Sequence, residues 1–207
     1  LDSLRNVFIK FSKIYKFKLL VIGNFEYEIQ GVDVEVIQWT KKNEISDLQK
    51  IDIGVYPLFQ DKWVLGKSGL KAIQYMAFGI PTIATDYGTS REIITHNYNG
   101  FLVKNDDEWI FTLSKLIENS DLRRDIGLNA RQRIVDKYSL EQINSKYLNV
   151  INSFNKKNVM ILFSSNSIGG AENSLIRMAE GNANITYFFS VFNKRSGPLI
   201  EIIKKKF

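Results

Sequence analysis

The sequence has no cysteine and a single histidine, His96, among its 207 residues. It can therefore build no disulfide framework, no thiolate nucleophile and no Cys-ligated zinc or iron–sulfur site. One histidine excludes a metal site with two imidazole ligands within the chain, and a Ser-His-Asp arrangement would have to use His96 itself. That residue lies in Thr95-His96-Asn97-Tyr98-Asn99-Gly100, a run of turn formers, and is expected to be an exposed turn residue. Three prolines and 13 glycines are too few for a collagen-like or low-complexity chain. The longest clean apolar runs, residues 19–22 and 159–163, are strand-sized and far short of the roughly 18 residues needed to span a bilayer. The first residues carry no secretory leader pattern. The chain starts at Leu1 rather than Met and reads as a piece whose true start is expected upstream.

What is present is ordinary for a globular protein, with 44% hydrophobic and 24% charged residues in a length that suits one large or two small domains. The net charge is 28 − 22 = +6. A basic balance points to phosphate-bearing partners. Arg5, Lys10, Lys13, Lys16 and Lys18 stand against Asp2 alone in residues 1–20, and the chain ends near Lys204-Lys205-Lys206. No RNA-binding aromatic signature or zinc finger accompanies them. A nucleotide or an anionic membrane surface is therefore expected, and nucleic acid is not.

Helical and strand periodicities alternate along the chain. Helices are expected at residues 3–16, 67–78, 106–119, 121–136 and 139–154, with short ones ending near Lys50 and at 90–95. Strands are expected at 17–22, 32–37, 51–57, 80–85 and 101–103, the last at an edge, and residues 58–66 read as a loop. Strands alternating with helices imply an α/β fold with a mostly parallel sheet. The pattern restarts after residue 155 with strands at 159–164 and 185–192 and helices at 171–180 and 198–206. Two domains are thus expected, residues 1–155 and residues 156–207, the second a truncated βαβα unit.

Three segments could carry chemistry. Gly66-Lys67-Ser68-Gly69 precedes an amphipathic helix, and glycines at a helix start expose backbone N–H groups to an anion. On a helix from residue 67, Lys67, Lys71 and Gln74 would share a polar face while Leu70, Ile73 and Ala77 faced the sheet. A solvated helix face is the plainer alternative. Asp86-Tyr87-Gly88-Thr89-Ser90-Arg91-Glu92 follows a strand at the edge where α/β folds bind ligands, and Thr89 or Ser90 could equally be a helix cap. Gly169-Gly170-Ala171-Glu172 forms another glycine turn between strand and helix. Gly66-Lys67-Ser68 also resembles the tail of a phosphate-binding P-loop, but the leading glycine would be residue 61, which is Asp61.

Taken together, these segments resemble the nucleotide-sugar half of a group 1 (family 4) glycosyltransferase. The residues that carry the resemblance run in order: Asp52-Ile53-Gly54-Val55-Tyr56-Pro57, Gly66 to Gln74, Tyr75-Met76-Ala77-Phe78-Gly79-Ile80-Pro81, then Asp86 to Ile94 and Asn99-Gly100-Phe101-Leu102-Val103. The family has two facing Rossmann-like domains, the GT-B architecture. The resemblance implies donor diphosphate binding by Gly66, Lys67, Ser68, Gly69 and Lys71, ribose binding by Gln74, no metal, no cofactor, and retention at the transferred sugar. Gly66 and Gln74 stand where the family commonly carries two glutamates. Residues 159–207 resemble the opening of the family's acceptor-side domain, with Gly169 and Gly170 as its glycine loop, so the order is that of two transferases in tandem. The implied activity is transfer of a sugar from a nucleotide-diphosphate sugar to a saccharide or lipid-linked acceptor in cell-surface polysaccharide biosynthesis. The implied location is the cytoplasm, with peripheral contact at an anionic membrane. The catalytic residues are unassigned. A nucleotide-sugar epimerase of the same architecture, a P-loop NTPase and a non-catalytic nucleotide-binding piece remain as alternatives.

Overall fold

Among the described residues of this computed structural model, every strand ladder is parallel, as strands alternating with helices require. The structure describes residues 1–153, 158–163, 170–181, 185–191 and 197–206. They divide into two compact units, Leu1–Ser139 and Leu140–Phe207.

In the first unit a 3-10 turn at Asp2–Leu4 opens α1 (Arg5–Ser12), which leads to β1 (Lys18–Ile22) and β2 (Asp33–Ile37). These strands pair from Lys18↔Asp33 to Ile22↔Ile37. There follow α2 (Glu44–Leu48), β3 (Gly54–Tyr56), a 3-10 helix at Lys62–Gly66, α3 (Leu70–Ala77), β4 (Thr82–Thr85), α4 (Ser90–Ile93), β5 (Phe101–Val103), α5 (Asp106–Glu118) and α6 (Ser120–Tyr138). A second sheet has the order β3-β4-β5, with β5 at its edge.

Side-chain alternation along β4 and β5 builds two cores. Ile83, Phe101 and Val103 point into one cluster with Val7, Phe8 and Phe11 of α1 and Trp109, Leu113 and Leu116 of α5. Ala84 and Leu102 point the other way, onto Met76 of α3, Ile93 of α4, and Ala130 and Ile134 of α6. Helices thus cover both faces, and all four residues of β4 are buried, as expected of a central parallel strand.

Several boundaries differ from the sequence reading, each for a local reason. The strand expected at 51–57 is laddered only at Gly54–Tyr56, because its partner begins at Thr82 and the preceding Pro81 has no N–H to give. The loop expected at 58–66 contains the 3-10 helix, whose cap is Asp61: its Oδ1 accepts from the Trp63 N–H at 2.9 Å. The helix expected from residue 67 starts at Leu70, because Gly69 is left-handed (φ 69°). Leu70 is consequently exposed, and the buried face of α3 is Ala72 and Met76.

The second unit contains α7 (Leu140–Ser153), β6 (Asn158–Phe163), α8 (Gly170–Glu180), β7 (Thr186–Val191) and α9 (Pro198–Lys206). The sequence reading puts the domain boundary at residues 155–156, whereas the two compact units divide earlier and group α7 with the second. β6 and β7 pair from Asn158↔Thr186 to Phe163↔Val191. Ile161 and Phe163 pack with Ile176 of α8 and Leu199 of α9, while Met160, Leu162 and Phe188 are exposed on the other face.

α3 ends in a tight left-handed cap in which the Gly79 N–H donates to Met76 O and the Ile80 N–H to Tyr75 O, both at 3.0 Å. Gly79 (φ 71°) then meets α6 backbone to backbone: a Cβ on Gly127 would overlap the Gly79 carbonyl oxygen. Alanine at a mid-helix glycine ordinarily gains up to about 1 kcal/mol, but overpacking costs about 1–3 kcal/mol. Gly127→Ala should therefore lower the melting temperature, while Gly66→Ala, whose Cβ would meet nothing within 4 Å, should leave it within about a degree or two. Thermal unfolding followed by circular dichroism measures both.

Candidate functional site

The carboxyl ends of β3 and β4 lead into two loops that are tied to each other. After β3, the Leu58 N–H donates to Thr85 Oγ1 at 2.9 Å, which anchors the first loop to the end of β4. After β4, the Thr89 hydroxyl donates to the Lys67 carbonyl at 2.8 Å, and the Tyr87 hydroxyl donates to the Asp61 carbonyl at 3.3 Å. Gly69 sits beneath this crossing: a Cβ there would overlap Ile93 and crowd Thr89 Oγ1, so the position excludes side chains twice, by contact and by φ.

The result is an α3 amino end without a side-chain cap. α4, which starts beside it, is also uncapped, because Thr89 has turned its hydroxyl to Lys67. Neither Thr89 nor Ser90 caps a helix, and Ser90 Oγ is buried without a hydrogen-bond partner. By contrast, Asn105 and Asn119 cap α5 and α6 through Oδ1 bonds to the Glu108 and Leu122 N–H groups. Unpaired N–H groups and the positive end of the helix dipole are thus left at the carboxyl edge of the sheet, at α3.

The residues singled out in the sequence gather here, with corrections to their arrangement. Gly66 ends the 3-10 helix, Lys67 and Ser68 are exposed linker residues, and Gly69 is the helix N-cap. Lys67 has extended backbone (φ −77°, ψ 135°), so it shares no helix face with Lys71 and Gln74. Lys71 lies exposed in the first turn of α3. Gln74 is half-buried; its Nε2 donates to Glu44 Oε1 of α2 at 3.0 Å, and its Oε1 is enclosed without a partner. Glu44 is a site neighbour that the sequence reading does not find, since no local pattern links residues 30 apart. Of the second glycine loop, Gly170 begins α8, and Gly169 lies outside the described residues.

The second constellation closes on itself. Arg91 Nε donates to Asp86 Oδ1 at 2.6 Å and its Nη2 to the Asp86 carbonyl at 3.0 Å, with Lys104 Nζ 3.7 Å from Oδ2. The Arg91 hydrogen bond, helped by the charges of Arg91 and Lys104, holds the Asp86 carboxyl below its usual pKa. His96 is exposed in its turn, as expected, and its Nδ1 accepts the Leu102 N–H at 3.0 Å. Asp61, at the position where a P-loop needs glycine, caps the 3-10 helix instead.

Comparison with known proteins gives the family. The sequence profile of the family described as glycosyl transferases group 1 matches residues 4–133. The chain belongs to the group 1 glycosyltransferases. Among its relatives, the capsular polysaccharide biosynthesis glycosyltransferase CapM of Staphylococcus aureus is 28% identical over 159 residues, covering 70% of this chain and 40% of that protein. The poly(ribitol-phosphate) alpha-N-acetylglucosaminyltransferase of Staphylococcus aureus (strain COL) is 37% identical over 89 residues, covering 41% of this chain and 18% of that protein. A mutant of TarM from S. aureus, crystallised with fondaparinux, alpha-GlcNAc-glycerol and UDP, superposes at a TM-score of 0.59 and 24% identity, over 73% of this chain and 32% of that one. That superposition shows the fold, which is that of the GT-B transferases. The chain spans less than half the length of each of these proteins.

The Asp86 pair gives a pH prediction. A carboxyl whose folded pKa is lowered contributes stability above its unfolded pKa, near 4, and that contribution is lost as pH falls through the folded value. Asp86→Asn should therefore lower stability at pH 7, and the gap between variant and parent should shrink below about pH 4. Denaturant unfolding at both pH values measures it.

Proposed function

We propose that residues 1–139 form the donor-binding part of a transferase that moves a sugar from a nucleotide-diphosphate sugar to a saccharide or lipid-linked acceptor. The observation that carries this reading is the uncapped amino end of α3 at Gly69, held open by the Thr89–Lys67 bond with Lys67 and Lys71 beside it. As the glycosidic bond breaks, negative charge builds on the diphosphate oxygens. Preorganised N–H groups at the start of α3, with the two ammonium groups, would stabilise that charge. Gly66 and Ser68 leave the approach open to the diphosphate. Gln74 Oε1 has no donor in this structure and is enclosed, so the side chain would have to turn outward to accept a ribose hydroxyl. With Nε2 committed to Glu44, the amide acts as acceptor only.

These cations can do the work of a divalent ion, and among the described residues no three Asp, Glu or His side chains gather into a metal-binding group. The kinship with CapM favours an acceptor in polysaccharide biosynthesis. A lipid-linked acceptor would bring the basic chain to the cytoplasmic face of a membrane, where it would bind peripherally; no helix among the described residues is long and apolar enough to cross one. Residues 156–207 are read as the opening of a second, acceptor-side domain. Because the chain spans 40% of the length of CapM, nucleotide binding rather than turnover is the activity to seek in it alone.

Calorimetry with UDP, GDP and ADP, with and without EDTA, should show weak binding that survives chelation. An absolute Mg²⁺ requirement would favour the P-loop alternative. Lys67→Ala and Lys71→Ala should each weaken binding by about 1.5–3 kcal/mol, the range for a hydrogen bond to a charged group. Unchanged affinity in both would leave α3 as a solvated surface helix.

A further inference from the structure

Two helices bring Glu44 and Gln74 together. α2 follows β2 and starts at Glu44, and Gln74 lies one turn past the first residue of α3. Gln74 Nε2 donates to Glu44 Oε1 at 3.0 Å, and both side chains are half-buried. A carboxylate only accepts, so the amide must present its nitrogen to Glu44. That leaves Gln74 Oε1 on the enclosed side, without a partner. The accessible acceptor of the pair is instead Glu44 Oε2, which is not enclosed and has no hydrogen bond or ion pair among the described residues.

A carboxylate fixed through one oxygen and open at the other suits a vicinal diol, whose two hydroxyls can donate to the two oxygens in charge-assisted bonds. The place along α3 also fits. Gln74 follows Lys71 by three residues on the same helix face, about 6 Å along the axis from Leu70. The ribose of a nucleoside diphosphate is joined directly to its phosphates. A diphosphate at the start of α3 would thus bring the ribose hydroxyls to the level of Gln74, and Glu44 is already there. Exposed Lys71 offsets the charge that Glu44 adds near the phosphates.

We propose that Glu44 receives the ribose diol, and that the chain thereby prefers ribonucleoside to 2′-deoxyribonucleoside diphosphates. Gln74 is then a positioning residue that holds Glu44 and need not turn outward. The proposal rests on the reading of the α3 amino end as the diphosphate site.

Calorimetry on the 207-residue chain tests it with UDP, GDP and ADP, each against its 2′-deoxy form. The parent chain should bind the ribo form of whichever base it takes about tenfold or more tightly, the worth of one hydrogen bond to a charged group. Glu44→Ala should bring that ratio close to one, chiefly by weakening the ribo form. Glu44→Gln, which still accepts but carries no charge, should fall between. Gln74→Met, which removes the donor that orients Glu44, should narrow the ratio less than Glu44→Ala does. Equal binding of ribo and deoxy forms by the parent chain would overturn the proposal without any variant, and leave the α3 reading standing. A ratio that survives Glu44→Ala and is lost in Gln74→Met would overturn it too, giving the diol to Gln74. No binding of any of the diphosphates would overturn the α3 reading, and this inference with it.

Discussion

The four residues of β4 are buried on both faces, and that burial fixes the carboxyl edge on which the rest of the site is built. Ile83 is held in one apolar cluster and Ala84 in the other, so the strand can neither slide nor rotate without exposing one of them. Burial on both sides also obliges its polar atoms to find partners. The Thr82 hydroxyl donates to Ile80 O at 3.0 Å, and Thr85 Oγ1 accepts the Leu58 N–H. The second of these bonds carries the constraint outward. It fixes where the loop after β3 leaves the sheet, and Tyr87 and Thr89 fix it again two turns of chain later. The surface at the start of α3 is thus a consequence of core packing transmitted through three hydrogen bonds.

That framework accommodates features that would otherwise weaken it. Two adjacent helices lack side-chain caps, where each missing cap costs on the order of 1 kcal/mol. Gln74 Oε1 and Ser90 Oγ are enclosed without partners. Such deficits are not confined to this crossing, since α1 and α2 also lack side-chain caps, while α5 and α6 are capped by asparagine. What sets the start of α3 apart is the company of exposed Lys67 and Lys71, which under the proposed function would join its free N–H groups in meeting an anion.

Much of this was legible in the sequence because strand and helix periods alternate cleanly, and because glycine and proline mark most element ends. What was not legible came from contacts distant in sequence. The period of Lys67, Lys71 and Gln74 is helical, so the helix is naturally extended back to residue 67. It fails there because Gly69 turns left-handed (φ 69°) beside the Thr89–Lys67 hydrogen bond, a contact 22 residues apart that no local pattern shows. Asp61 reads from sequence only as a failed phosphate-loop glycine, although an aspartate whose side chain accepts the backbone N–H two residues on is itself a turn signal. Periodicity also identifies strands without naming their neighbours. The separation of β1-β2 from β3-β4-β5 therefore had no trace in the sequence.

Charge at the carboxyl edge presents a last constraint. A diphosphate brought to the start of α3 would meet the loop that begins at Asp86, and an uncompensated carboxylate there would oppose it. Arg91 and Lys104 both face Asp86, so that one negative charge is offset by two positive ones. Arg91 reaches Asp86 through its side chain and also hydrogen-bonds the Asp86 carbonyl, which fixes the loop as well as its charge. Lys67 and Lys71, by contrast, appear in no ion pair among the described residues and stand exposed. The edge therefore divides its cations by role. Those at Asp86 neutralise and hold the frame, and under the proposed function those at α3 would turn their donors to an anion from outside. Removing Arg91 would loosen the loop that supports Thr89 and leave Lys104 alone to offset Asp86, so its effect on an anionic ligand would exceed that of its own distance from the α3 amino end.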